Sequence, residues 1–131
     1  MTSIIFEPTK LGSIELKNRV VVAPMTRSRA GVGDLPGELH VDYYSQRASA
    51  GLIITEGTQP SANGKGYCRT PGIHTPEQIN AWRTVVDSVS ENGGAMVMQV
   101  MHVGRVSSKY NKDEGSETIA PSAIQAKGQM Y

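Results

Sequence analysis

Cysteine is nearly absent: Cys68 stands alone among 131 residues. A disulfide framework or a cysteine-based zinc site within the chain is thereby excluded. Cys68 is expected to be a partly buried, chemically quiet thiol, and a reducing, cytoplasmic setting is the matching expectation for the chain. Aromatic residues make up only 5% and hydrophobic residues 38%, a lean supply for a self-sufficient core. The net charge is +1. There is no Lys/Arg stripe interleaved with aromatics, so nothing argues for nucleic acid. No apolar run approaches the roughly 20 residues of a membrane span, and the opening MTSIIFEP lacks the basic and apolar regions of a signal peptide. His40, His74 and His102 have no metal-ligand spacing, so no metal is expected. Neither GxGxxG after a strand nor GxxxxGK[ST] occurs. If a nucleotide binds, its phosphate is held by residues outside this chain.

What the chain does have is 14 glycines and 7 prolines, which mark sharp turns between short apolar runs. Residues 4–6 and 13–16, separated by Pro8 and Gly12, read as a small hairpin. Residues 20–23, three of the four β-branched, suit a strand buried on both faces, and Pro24 ends it. Helical spacing runs over residues 38–50 through Leu39, Tyr43, Tyr44, Arg47 and Ala48, with Gly51 as the residue that closes the helix. A strand at 52–55 follows, then a loop over 58–74. Thr75-Pro76-Glu77-Gln78 is an N-cap, a proline at the first helical position and a Gln that completes a capping box. Ile79, Trp82, Val85, Val86 and Val89 make one apolar stripe. Asn92-Gly93-Gly94 stops that helix, and a strand over 95–100 follows. Hairpin, β, α, β, α, β is the order of a parallel α/β fold with crossover helices. Residues 103–131 show no sustained periodicity, and a loop of that length is usually a lid, a binding loop or a place where the chain is mobile.

Polar groups gather where each apolar run ends. The Thr26 hydroxyl can donate to a carbonyl-like oxygen of a planar ligand, or bond its own backbone in a turn. Gln99 offers a donor and an acceptor side by side, matching the amide edge of a pyrimidine-type ring, or else joins an internal network. Gly57 permits close backbone approach to a flat cofactor, or is a plain turn glycine. Tyr67 either meets a ligand or sits on a surface loop. His102 and Arg105 bind an anion or brace a loop. Met25, Met96 and Met98 read as core filler, and Met101 as a pocket wall.

The runs NRVVVAPMTR, YYSQRASAGLIITEGT, GIHTPEQI, QVMHVGR and APSAI, at residues 18–27, 43–58, 72–79, 99–105 and 120–124, resemble in order and spacing the Old Yellow Enzyme family of FMN-dependent ene-reductases. The resemblance implies the N-terminal part of a (β/α)8 TIM barrel with a capping hairpin and about three barrel strands. Residues 1–18 would be the hairpin lid, 19–101 the first three β/α units and 102–131 a long active-site loop. It implies that Pro24, Met25, Thr26, Gly57 and Gln99 line the isoalloxazine of FMN, with Thr26 donating to O4 and Gln99 bonding the pyrimidine edge. Thr26, Tyr67 and Met101 would border the substrate. Thr26 matches the classical subgroup, whereas Met101 stands where many members carry tryptophan. In the family NAD(P)H is the reductant, and the acceptor is an alkene conjugated to a carbonyl or nitro group. The proton donor and the pair that holds the substrate oxygen lie beyond these residues, so no catalytic residue is assigned here.

The expected partner is the complementary C-terminal barrel fragment, because three strands leave edges that need covering. A truncated, non-catalytic remnant or interaction module, and a TIM-barrel enzyme acting on a phosphorylated substrate, are the rival readings.

Overall fold

The computed structural model describes residues 3–128. The hairpin forms one segment later than expected. Strand β1, Thr9–Leu11, pairs antiparallel with β2, Ile14–Leu16. Residues 4–6, anticipated as the first arm, are instead one 3-10 turn, Ile4–Phe6. The reason is local. Gly12 and Ser13 make a two-residue loop, which pairs the residues on its immediate flanks. Gly12 supplies the left-handed φ of +60° that such a loop needs. The Ile5 carbonyl then accepts the Arg19 N–H at 2.8 Å and ties the turn to the start of the next strand.

Three short strands form the second sheet: β3 Val21–Val22, β4 Leu52–Ile54 and β5 Met96–Val97, in that spatial order and all parallel. Helix α1, Glu38–Ser45, connects β3 to β4, and α2, Pro76–Glu91, connects β4 to β5. Both helices pack together, and the core lies between them and the sheet. It contains Tyr44, Ala48, Ile53, Trp82, Val85 and Val89, with Val22, Met96 and Met98 pressed against it from the strands. Each fully buried aliphatic side chain contributes about 1.5–3 kcal/mol. This succession of strands and crossover helices, preceded by a hairpin, is the opening part of a (β/α)8 barrel.

The strands are shorter than the apolar runs that announce them. Val20, Val21 and Ala23 are exposed rather than buried on both faces, because β3 is an edge with only β4 beside it. Helix α1 stops at Ser45, and residues 46–49 form turns instead of continuing to 50. Gly51 is no left-handed helix terminator. A Cβ there would collide with the Asn18 carbonyl, so glycine is needed for close approach of two backbones. Asn18 seals that crossing with two bonds, Nδ2 to the Ser49 carbonyl at 2.9 Å and Oδ1 from the Val20 N–H at 3.0 Å.

Helix α2 begins as its sequence dictates. Thr75 Oγ1 accepts the Gln78 N–H at 3.2 Å, and Gln78 Oε1 accepts the Thr75 N–H at 3.2 Å. Its buried stripe is narrower than the apolar residues suggest. Gln78, Trp82, Val85 and Val89 are buried, whereas Ile79 and Val86 are exposed on its flank.

Candidate functional site

All three parallel strands end at the same side of the sheet, so their carboxyl-terminal residues form one rim. Val22, Ile53 and Met96 stand level across the three strands. Beyond that level lie Pro24, Met25 and Thr26 after β3, Gly57 after β4, and Gln99 and Met101 after β5. Two strand spacings, about 10 Å, separate the first group from the last. Met25 and Thr26 are exposed, Pro24, Gln99 and Met101 are half-buried, and Gly57 is buried.

Gln99 faces away from the helices. Met96 and Met98 pack into the helix-side core, so alternation turns Gln99 to the opposite, uncovered face. Its peptide N–H is taken by Thr55 Oγ1 at 3.0 Å. Among the described residues, neither the Gln99 carboxamide nor the Thr26 hydroxyl has a hydrogen-bond partner. The space that Gly57 leaves open is filled by Met101, since a Cβ at 57 would stand 2.5 Å from Met101 Cε. Tyr67 is half-buried on the loop after β4, where its carbonyl accepts the Thr70 hydroxyl at 3.0 Å.

The ladder between β4 and β5 slips at the rim. Ile54 pairs with Val97, but the next bridge joins Thr58 to Val100. One extra residue is therefore accommodated on the β4 side, a bulge of the kind that re-aims side chains. Thr55 and Thr58 stitch it, each donating its hydroxyl to the Glu56 carbonyl, at 3.0 and 2.9 Å.

Sequence reasoning passed over the residue inside this bulge. Glu56 is fully buried, and its carboxyl sits behind the rim. Oε2 accepts the Arg27 N–H at 3.1 Å. Oε1 accepts the Tyr44 hydroxyl at 3.4 Å, and the Tyr44 oxygen in turn accepts the Glu56 N–H at 2.8 Å. His40 Nδ1 accepts the Gly37 N–H at 3.2 Å, which leaves its proton on Nε2. That nitrogen lies 3.3 Å from Glu56 Oε1, within ion-pair range but outside hydrogen-bond alignment. Burial, reinforced by the facing Glu56, pushes the Tyr44 phenol well above its ordinary range. The available signal was an acidic residue directly after a buried apolar strand, with no turn residue between them.

A second buried network joins the two loops beside the rim. Asp34 receives Lys65 Nζ at 2.7 Å and Gln59 Nε2 at 2.9 Å, and Lys65 also reaches Asp113 at 3.2 Å. Burial works against the Lys65 ammonium, but the hydrogen bond and charge of Asp34, supported by Asp113, outweigh it and hold the amine above its usual value. Lys112 Nζ adds bonds to the Asn63 and Lys65 carbonyls, at 2.6 and 2.8 Å, and straps the later loop onto the earlier one.

Of the remaining candidates, Arg105 braces a loop, donating to the Ile124 carbonyl at 2.8 Å and Ser122 Oγ at 2.9 Å. His102 Nδ1 accepts the Gly104 N–H at 3.0 Å. Cys68 is exposed rather than partly buried, because it lies in a surface turn. Among the described residues no cluster of His, Cys, Asp and Glu could hold a metal ion, and no helix is long and apolar enough to cross a membrane.

Comparison with known proteins places this rim in context. Residues 4–130 match the NADH:flavin oxidoreductase / NADH oxidase family. The chain is 45% identical over 114 residues to 12-oxophytodienoate reductase 1 of Oryza sativa subsp. japonica, a match covering 86% of this chain and 30% of that protein. Morphinone reductase, solved in complex with tetrahydroNAD, superposes with a TM-score of 0.89 at 47% identity, covering 97% of this chain and 35% of that one. The old yellow enzyme homologue from Zymomonas mobilis superposes at 0.90 with 40% identity, covering 98% and 36%. The chain thus spans about a third of the length of the relatives it matches.

Proposed function

Since this chain belongs to the NADH:flavin oxidoreductase / NADH oxidase family, we propose that it is the FMN-binding portion of an NAD(P)H-dependent ene-reductase. The observation that carries this reading is the pair of polar side chains without a partner among the described residues, the Thr26 hydroxyl and the Gln99 carboxamide, at one end of a parallel sheet. They fit a flat heterocycle that needs a donor at one carbonyl and a donor–acceptor pair at an amide edge. Pro24 and Met25 line the same edge, and Gly57 with Met101 forms the floor between. FMN held here would supply hydride transfer from a reduced nicotinamide to an alkene conjugated to a carbonyl or nitro group. This chain's contribution is to hold and orient the ring through Thr26 and Gln99, and to border the alkene with Tyr67 and Met101. Proton delivery and phosphate binding fall to residues outside it.

The complementary C-terminal part of the barrel is the partner in this reading. The open edges of β3 and β5 support it, together with exposed Val20, Val21, Ile4 and Phe6. Ordering each residue costs about 1–2 kcal/mol in backbone entropy, which three uncovered strands recover poorly. Mixing the purified chain with the C-terminal two thirds of the barrel is expected to give a yellow protein that oxidises NADPH or NADH when an enone is supplied. A mixture whose protein fraction carries no flavin after added FMN is removed by gel filtration overturns the reading.

A further inference from the structure

The Thr26 hydroxyl is useful only if its backbone is held still, and nothing regular holds it, because β3 ends at Val22. What fixes the segment is the buried carboxyl behind it. We infer that Glu56 is a positioning residue for the cofactor: by accepting the Arg27 N–H, it sets where the Thr26 hydroxyl stands relative to Gln99. This inference rests on the flavin reading above and assigns a role to Glu56, a residue that touches no ligand.

The geometry is over-determined around a strained turn. Ser28 has a φ of +52°, a left-handed conformation that a non-glycine residue adopts at a cost. Arg29 Nη1 bonds the Arg27 and Ser28 carbonyls, both at 3.1 Å. The Arg27 guanidinium lies 4.8 Å from the centre of the Tyr43 ring. On the other side of the Thr26–Arg27 peptide, Glu56 Oε2 takes the Arg27 N–H. The carboxyl is itself held by Tyr44 of α1 and faces His40. Position is thus passed from the helix layer, through one buried side chain, to the peptide that carries the Thr26 side chain.

Two donors, the Arg27 N–H and the Tyr44 hydroxyl, are served by separate oxygens of one carboxyl, and His40 Nε2 stands close by. Glutamine has one acceptor oxygen and adds an amino donor, so Glu56→Gln cannot accept from Arg27 on one side and Tyr44 on the other. Aspartate keeps both oxygens but withdraws them by one methylene, leaving the Arg27 N–H short of its partner.

The test uses the complete FMN-loaded barrel carrying this chain. Four proteins are compared: wild type, Glu56→Gln, Thr26→Ala and the double variant. The readouts are FMN dissociation constant, flavin midpoint potential, and amide hydrogen exchange of Arg27 in the apoprotein. Glu56→Gln is expected to weaken FMN binding by about tenfold, shift the potential in the direction that Thr26→Ala does, and speed Arg27 exchange. Because Glu56 acts through Thr26, its effect on the potential is expected to vanish once the hydroxyl is gone. If Glu56→Gln fails to fold, Glu56→Asp is measured in its place against the same criteria. A potential shift that is equal with and without the Thr26 hydroxyl overturns the inference, as does a substitution that changes neither potential nor affinity. A wild-type barrel that holds no flavin overturns the flavin reading, and this role with it. A yellow wild type with a silent substitution overturns this role alone.

Discussion

Met101 lies across the Cα of Gly57, so these two positions are coupled by contact. Its unbranched thioether is among the most adaptable of core side chains, and at the rim it leaves a soft wall. Met101→Trp puts a rigid indole in the same place. The expected outcome is a fall of about tenfold in kcat/KM for a bulky cyclic enone relative to a small one, checked by competing the two substrates against wild type and variant. Ser28 offers a second residue-level test. Its φ of +52° is unstrained for glycine, so Ser28→Gly is expected to raise stability by up to about 1 kcal/mol, read as a shift in the urea midpoint.

The elements differ in how openly the sequence declares them. Helix α2 is legible because its signals are local: Thr75, Pro76 and Gln78 satisfy one another within a single turn. Gln78 does more than its cap role suggests. It also accepts the His74 N–H at 2.9 Å and donates to the Gly33 carbonyl at 3.0 Å, joining α2 to the loop after β3. Gln78→Ala is therefore expected to cost more than Thr75→Ala, about 3 against about 1 kcal/mol, measured by thermal unfolding of the assembled barrel. The hairpin was harder to read. Ile4–Phe6 has the composition of a strand, yet the two-residue loop at Gly12 selects Thr9–Leu11 as the partner of β2. Gly51 looked like a helix terminator because the Asn18 backbone that it accommodates lies 33 positions away in the chain. The same limit hid Glu56. A carboxyl whose partners are Arg27, His40 and Tyr44 cannot be recognised from its neighbours in sequence. The succession of strands and helices, by contrast, was written in hydrophobic period and punctuation alone.

Across the whole molecule, two buried polar networks give stability a dependence on alkaline pH. Lys65 and Tyr44 both bind their protons more tightly folded than unfolded. Their contribution is complete below the unfolded values, about 10 for the phenol and about 10.4 for the amine, and is lost as pH rises past them toward the raised folded values. The urea midpoint is expected to hold level up to about pH 9 and to fall at about pH 11. Tyr44→Phe is expected to flatten part of that fall.

The slip between β4 and β5 has a consequence for what this architecture tolerates. Ile53 packs among the helices, and strict alternation would turn Glu56 through the sheet to the other side. Yet Glu56 meets Tyr44 and His40 of α1. Excising Gly57 would mend the ladder and, in the same stroke, swing the acid into the barrel's lumen. Shortening this corner after the acid trades the carboxyl's place beneath the helices for order in the strand, so the loss of that single codon should be as damaging as deleting the carboxyl itself.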